Sequence, residues 1–210
     1  MANVGDIQRT FDSSKSRNEH YWVRIKCSPM KVEIIADMPE ETQTAVGSEW
    51  EGLLPASLGQ AGNIGNLLEA VGKGAFGSGV QAQNLTQQIW VNSSPMEIPI
   101  TLQFDAENDA FNDVYAPMRL LEMMAMPREW GGFLYSPGTN SGFGFGGDSG
   151  ISVHIGRYLH VPRAIIVNVS SSFNSRLDAK GYPISGRSDL TIRTDRVLSA
   201  GNWAEMTGVN

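Results

Sequence analysis

The chain has a single cysteine, Cys27, in 210 residues. No internal disulfide is possible, and a metal site built on several thiolates is not expected. Basic charge is also scarce: 16 Lys and Arg stand against 22 Asp and Glu, a formal net charge of -6. Gripping nucleic acid through its phosphates requires clustered cations, so that mode is not expected either. Long apolar runs are missing as well. No stretch approaches the roughly 20 apolar residues of a membrane helix, and residues 1–15 hold no apolar run suited to a signal peptide. These absences predict a soluble chain made in the cytoplasm, with no membrane partner.

What is present is alternation. At 41% hydrophobic the chain can bury one real core, and it reads as a single domain over residues 1–210, mainly β with one helix. Tyr21, Val23, Ile25 and Cys27 alternate with Trp22, Arg24 and Lys26, a short strand follows over 31–36, and residues 87–92 and 151–155 read as strands. Over 96–105, Met96, Ile98, Ile100, Leu102 and Phe104 face one way, with Glu97, Pro99, Thr101, Gln103 and Asp105 opposite. Pro99 has no N–H for a ladder, which places it at an edge or a bulge. Residues 106–126 form the one helix, kinked or restarted at Pro117 and stopped by Pro127. Residues 1–18 are polar and unpatterned, an arm ordered by contact with a neighbour, and the tail from Gly201 is weakly patterned.

Two glycine-rich segments interrupt this pattern. One is an insertion at 55–82 with glycines around Leu67, Leu68, Val71 and Phe76. The other is a loop at 130–150 with Phe133, Tyr135, Phe143 and Phe145. Structureless loops this long inside a compact domain are functional or pack on another subunit. Leu67, Leu68, Phe76, Phe143 and Phe145 are therefore expected to make contacts between subunits or between rings.

The stretch 161–198 organises the rest. Its first arm sets Ile165, Val167, Val169, Ser171 and Phe173 on a core-like side. Ala164, Ile166, Asn168, Ser170, Ser172 and Asn174 lie on a side that is small, mostly polar and nearly free of charge. The returning arm sets Leu190, Ile192 and Thr194 against Asp189, Thr191, Arg193 and Asp195, and residues 178–183 supply the turn. A long hairpin follows. A neutral, short-chained face suits the wall of a pore shared by several subunits, since a sheet removes its edges by closing, and a repeated head-to-tail contact makes a ring. Asn168, Ser170, Ser172, Thr101 and Gln103 are then the expected lumen-facing residues.

Catalytic and cofactor signals are weak. Residues 72–77 match G-x-G-x-x-G without the preceding strand or the βαβ unit that a dinucleotide needs. Residues 147–150 read Gly-Asp-Ser-Gly, without the flanking residues or the oriented histidine of a serine protease. His154 and His160 have no acidic or cysteine ligand at metal spacing. The aromatics of 130–150 could stack on sugars or bases, though packing at an interface is the simpler role. Basic residues gather in the C-terminal part, at Arg157, Arg163, Arg176, Lys180, Arg187, Arg193 and Arg196, a distribution suited to an acidic neighbour. No enzyme activity, cofactor or metal is expected.

The order of features resembles the tail-tube proteins of contractile-tailed bacteriophages, especially the baseplate hub proteins that start the tube. The resemblance is carried by Met38-Pro39, the isolated Trp50, the strand and helix from Pro99 to Pro127 with Leu120-Leu121 and Met126-Pro127, and Pro137-Gly138. It continues through Val161-Pro162-Arg163-Ala164-Ile165-Ile166-Val167-Asn168-Val169, then Gly181-Tyr182-Pro183 and Ser188-Asp189-Leu190-Thr191-Ile192. It implies a tail-tube-like β-barrel or sandwich, with six copies per ring, four strands per copy in a shared inner barrel, the helix outside that barrel, and no catalysis. Implied partners are the chain itself in a sixfold ring, neighbouring tube and baseplate hub proteins, tape-measure protein and sheath, with DNA only in transit through the virion. The insertion at 55–82 and the loop at 130–150 depart from a plain tube subunit and suit an adaptor ring. A tube of a contractile injection or secretion system is the alternative, and a glycan-binding or hydrolytic baseplate module a more distant one.

Overall fold

The computed structural model describes residues 7–15, 18–37, 41–52, 88–138 and 150–209. The chain divides into two compact units, residues 1–45 with 95–210, and residues 46–94. The strands are β1 (Arg9–Asp12), β2 (Trp22–Cys27), β3 (Val32–Asp37), β4 (Ser48–Gly52), β5 (Gln88–Ser93), β6 (Glu97–Asp105), β7 (Arg128–Trp130), β8 (Phe133–Tyr135), β9 (Ile151–Ile155), β10 (Leu159–Phe173) and β11 (Ser185–Thr194). The helices are α1 (Ala116–Ala125), preceded directly by a π-helical turn at Phe111–Tyr115, and α2 (Ala200–Thr207).

In the larger unit, seven strands in the order β1-β3-β2-β9-β10-β11-β6 form one sheet that curls into a half-barrel. Strict alternation builds it. Val23, Ile25 and Cys27 on β2 and Ile98, Ile100, Leu102 and Phe104 on β6 are buried, and so are Leu190 and Ile192 on β11. Val114, Met118, Leu121 and Met124 recur at helical spacing and join the same core, so the helix covers the face these strands bury. Gly186 on β11 makes this approach possible, because a Cβ there would lie 2.4 Å from the Met118 sulfur and 3.2 Å from the Ser172 carbonyl oxygen. Cys27 is fully buried, and desolvation pushes its thiol pKa up. No helix among the described residues is long and apolar enough to cross a membrane.

Several sequence expectations change. Residues 7–15 of the polar arm pair with their own chain: β1 lies parallel to β3, and Lys15 links the two ends of the sheet. The Lys15 backbone N–H bonds both Asp37 carboxylate oxygens at 3.1 and 2.9 Å, while its ammonium donates to Asp105 Oδ2 at 2.6 Å. A hydrogen bond to Asp105 holds the ammonium pKa above its ordinary value. The tail from Ala200 is a helix. It carries a capping box between Ser199 and Asn202 and a left-handed Gly208 at its end. At the start of the 130–150 loop, β7 and β8 form a short hairpin.

The face assignment of β10 is corrected. Its register against β11 runs Ile166↔Ile192 and then Asn168↔Thr191, so Val167 is an extra residue in a β-bulge. A bulge reverses which side later residues face. Ala164 and Ile166 are buried, Val167 is 44% exposed, and beyond it Val169 and Phe173 return to the core. Val167 is therefore a surface residue and Ile166 a core one, opposite to the uninterrupted alternation.

Strand β6 closes one edge of the sheet, in keeping with Pro99. At its two ends Thr194 N–H donates to the Met96 carbonyl at 3.0 Å and Ala106 N–H to the Ile184 carbonyl at 2.8 Å, so even-numbered residues bond β11. Antiparallel pairing alternates, which leaves the backbone groups of Glu97, Pro99, Thr101, Gln103 and Asp105 pointing off the edge. Ala45 N–H takes the Glu97 carbonyl at 3.3 Å. Pro99 sits where its missing donor would have faced outward. It costs the ladder nothing.

In the second unit, β4 and β5 pair with Trp50 directly opposite Trp90, both more than half exposed.

Candidate functional site

The outward face of β10, β11 and β6 brings together all five residues expected to line a lumen. Register sets Asn168 beside Thr191 and Pro99, Ser170 beside Asp189 and Thr101, and Ser172 beside Arg187 and Gln103. Asn168, Ser170, Ser172 and Gln103 are exposed and Thr101 is half-buried, all on the side away from α1. On the opposite side, the fully buried Ser188 hydroxyl lies 3.2 Å from that of Ser171, so two core hydroxyls satisfy each other.

The face is polar but not free of charge. Thr101 Oγ1 donates to Asp189 Oδ1 at 2.6 Å, and Arg187 adds bonds from Nε and Nη2 at 3.0 and 2.9 Å. The Thr101 bond first, and then Arg187, hold the Asp189 carboxyl below the usual carboxylate range. Two rows along, Arg193 donates from Nε to Glu97 Oε1 at 2.8 Å, and its Nη2 bonds the same oxygen. Each cation is matched by an anion on its own or the adjacent strand, so the face is ionic yet locally neutral. Pairwise reading of single strands misses these four side chains as part of the site. The signal is available only once β11 is known to lie between β10 and β6.

The C-terminal basic residues also pair within the chain. Arg163 and Arg196 share Asp195 at 3.6 and 3.1 Å, and Lys180 reaches Asp109 at 3.6 Å. Most of this basic excess is thus neutralised internally.

His154 and His160 are cross-strand partners whose rings stack at 3.9 Å between centroids, with planes 16° apart. Their rings lie face to face, a geometry unlike two ligands converging on one ion. Burial lowers both pKa values, that of His154 to about 4, with His160, Lys26 and Arg24 adding to the effect.

Leu67, Leu68, Phe76, Phe143 and Phe145 lie outside the described residues, as do the glycine motif at 72–77 and residues 147–149. No protein-family model and no curated protein matches the chain.

Proposed function

We propose that the chain is a structural virion subunit that forms a ring, sixfold by its resemblance, of a contractile phage tail tube at the baseplate. In this reading it starts or adapts the tube and does no catalysis. One observation supports it above the rest: a half-barrel sheet with its core and helix on one face, a locally neutral polar face on the other, and at β6 an edge that among the described residues pairs only at Glu97, with Ala45. A curled sheet with a free edge can continue into the sheet of a neighbour, and six such sheets close a barrel. The polar face of β10, β11 and β6 then lines the lumen. Its matched charges leave few unpaired cations to hold DNA phosphates. The partners are further copies, tube and hub proteins, tape-measure protein and sheath.

Electron microscopy of the assembled particle with this chain labelled tests the reading. Label in a ring at the tube base is the expected result, and label absent from the tube rejects it. Ser170→Lys and Asn168→Lys should leave the fold intact and slow DNA ejection; wild-type ejection by both would remove these residues from the lumen.

A further inference from the structure

The chain holds one cysteine and nine methionines among 210 residues, yet five of the nine residues that wall one open cavity of about 300 Å³ carry sulfur. Two distant segments supply them. Cys27 ends β2 and Met30 closes the short helical turn Ser28–Met30 behind it, while Met123, Met124 and Met126 stand at the C-terminal end of α1. Only the packing of α1 on the sheet brings the five sulfurs to one place.

Exposure grades them. Cys27 and Met124 are 0% and 1% exposed and floor the cavity, Met30 is half-buried, and Met123 and Met126 at the rim are 54% and 56% exposed. Core filling accounts for Cys27 and Met124. It leaves two half-solvated thioethers, three residues apart on one side of the helix end, at the mouth of the same cavity. Pro29 and Pro127 fix the backbone beside the sulfur-bearing residues, whereas the unbranched methionine side chains can swing toward a common centre.

Thiolate and thioether donors are soft and select Cu(I), while magnesium, calcium and manganese take oxygen donors. Among the described residues no group of three or more His, Cys, Asp and Glu could hold a metal ion, so the sulfur set stands without a harder competitor there.

We propose that this cavity binds one Cu(I) ion through the Cys27 thiolate, the Met124 thioether and one of the two rim thioethers. Binding breaks the Cys27 S–H bond, forms an S–Cu bond and releases the proton to solvent; copper stays monovalent and no electron moves. The thiolate and Cu(I) together are neutral, and Arg128 in the same wall favours the thiolate. The site is independent of the ring reading, which rests on the β6 edge and the polar face.

Anaerobic titration of the full chain with Cu(I) held by the chelator bicinchoninate tests it. Wild type should withdraw one Cu(I) per chain and develop an ultraviolet thiolate-to-copper band. Met123→Leu with Met126→Leu keeps side-chain volume at exposed positions and should weaken binding at least about tenfold. Cys27→Ser should remove both the band and the tight site, and Zn(II) offered in place of Cu(I) should not be retained. Unchanged circular dichroism verifies that the variants fold, and the rim variant decides the matter if Cys27→Ser does not. A wild type that takes no Cu(I) from the chelator overturns the proposal, as does binding indifferent to the rim changes or to Cys27→Ser. Zn(II) held as tightly as Cu(I), or Cu(I) binding lost in His154→Gln, overturns it too.

Discussion

The hydroxyl of Ser13 donates to the backbone carbonyl of Asp113 at 2.5 Å. The reason lies four residues further on. Pro117 has no N–H, so the carbonyl at 113 lacks its ordinary helical donor. The chain responds with a π-helical turn, in which Ala116 N–H reaches the Phe111 carbonyl, and with the buried Ser13 hydroxyl. Asp113 is also held through its carboxylate, which accepts the N–H groups of Glu107, Asn108 and Asp109 at 3.0 Å each. The N-terminal arm is thereby fastened to the helix by a group that the helix itself leaves unpaired.

Ser13→Ala should therefore lower stability by about 1–2 kcal/mol, the cost of an orphaned buried acceptor. In a Pro117→Ala background, where residue 117 regains an N–H, the same substitution should cost clearly less. Urea unfolding of the four proteins in this cycle measures the coupling, and equal costs in both backgrounds would refute the link.

The bulge in β10 makes a sharp pair of predictions. Val167→Asp should fold, with a change within about 1 kcal/mol, because that side chain is already in water. Ile166→Asp should not fold, because it buries a charge. Thermal melts of both variants check the assignment; the reverse ranking would restore the unbroken alternation.

Gly186→Ala should cost about 1–3 kcal/mol by overpacking against Met118. Met118→Ala alone should cost about 2–5 kcal/mol by leaving a cavity. The double variant should cost less than the sum, since the new methyl group enters the space that Met118 vacates. Additive costs in chemical denaturation would show that the two side chains do not compete.

The stacked histidines give a pH dependence. Their folded pKa values lie below the ordinary 6.5, so the unfolded chain binds protons first. Their contribution is complete above about pH 6.5 and is lost as pH falls through about 4 for His154. Arg24 and Lys26 add to the repulsion, and Glu205 partly offsets it at His160. After allowance for solvent screening the loss at His154 is about 1–2 kcal/mol. Stability of His154→Gln between pH 7 and 4.5 should be flatter than that of wild type. A parallel profile would remove His154 as the cause. This window lies above the titration of Asp189, whose carboxyl is held low.

The legible part of the fold follows from side-chain period. Strands β2, β6 and β11 meet a core on one face only, so every second residue is buried, and on β2 and β6 that residue is apolar throughout, which lets the register be read from one strand alone. The failure at β10 has a physical cause: Ile166 and Val167 are both aliphatic, and only the partner strand decides which of them is extra. Strand β1 offers Phe11 as its one apolar side chain, too little for a pattern, and it is held by pairing with β3. Helix α2 does carry a signal, in Ser199 and Asn202 with Trp203 and Met206 three apart, and Gly201 at its second position obscures it. The five outward residues of β10 and β6 could be grouped by polarity, whereas the ionic ladder on β11 between them required tertiary pairing.

In the proposed assembly, Pro99 has a consequence for the exposed edge of the sheet. Beyond it, only Thr101, Gln103 and Asp105 keep outward backbone donors, a length of edge too short and too polar to template indiscriminate strand stacking. One imino acid thus limits edge-to-edge pairing. The edge of the free chain resists stray strand pairing, while in the proposed ring a neighbouring strand whose own groups skip the proline rung still finds a match.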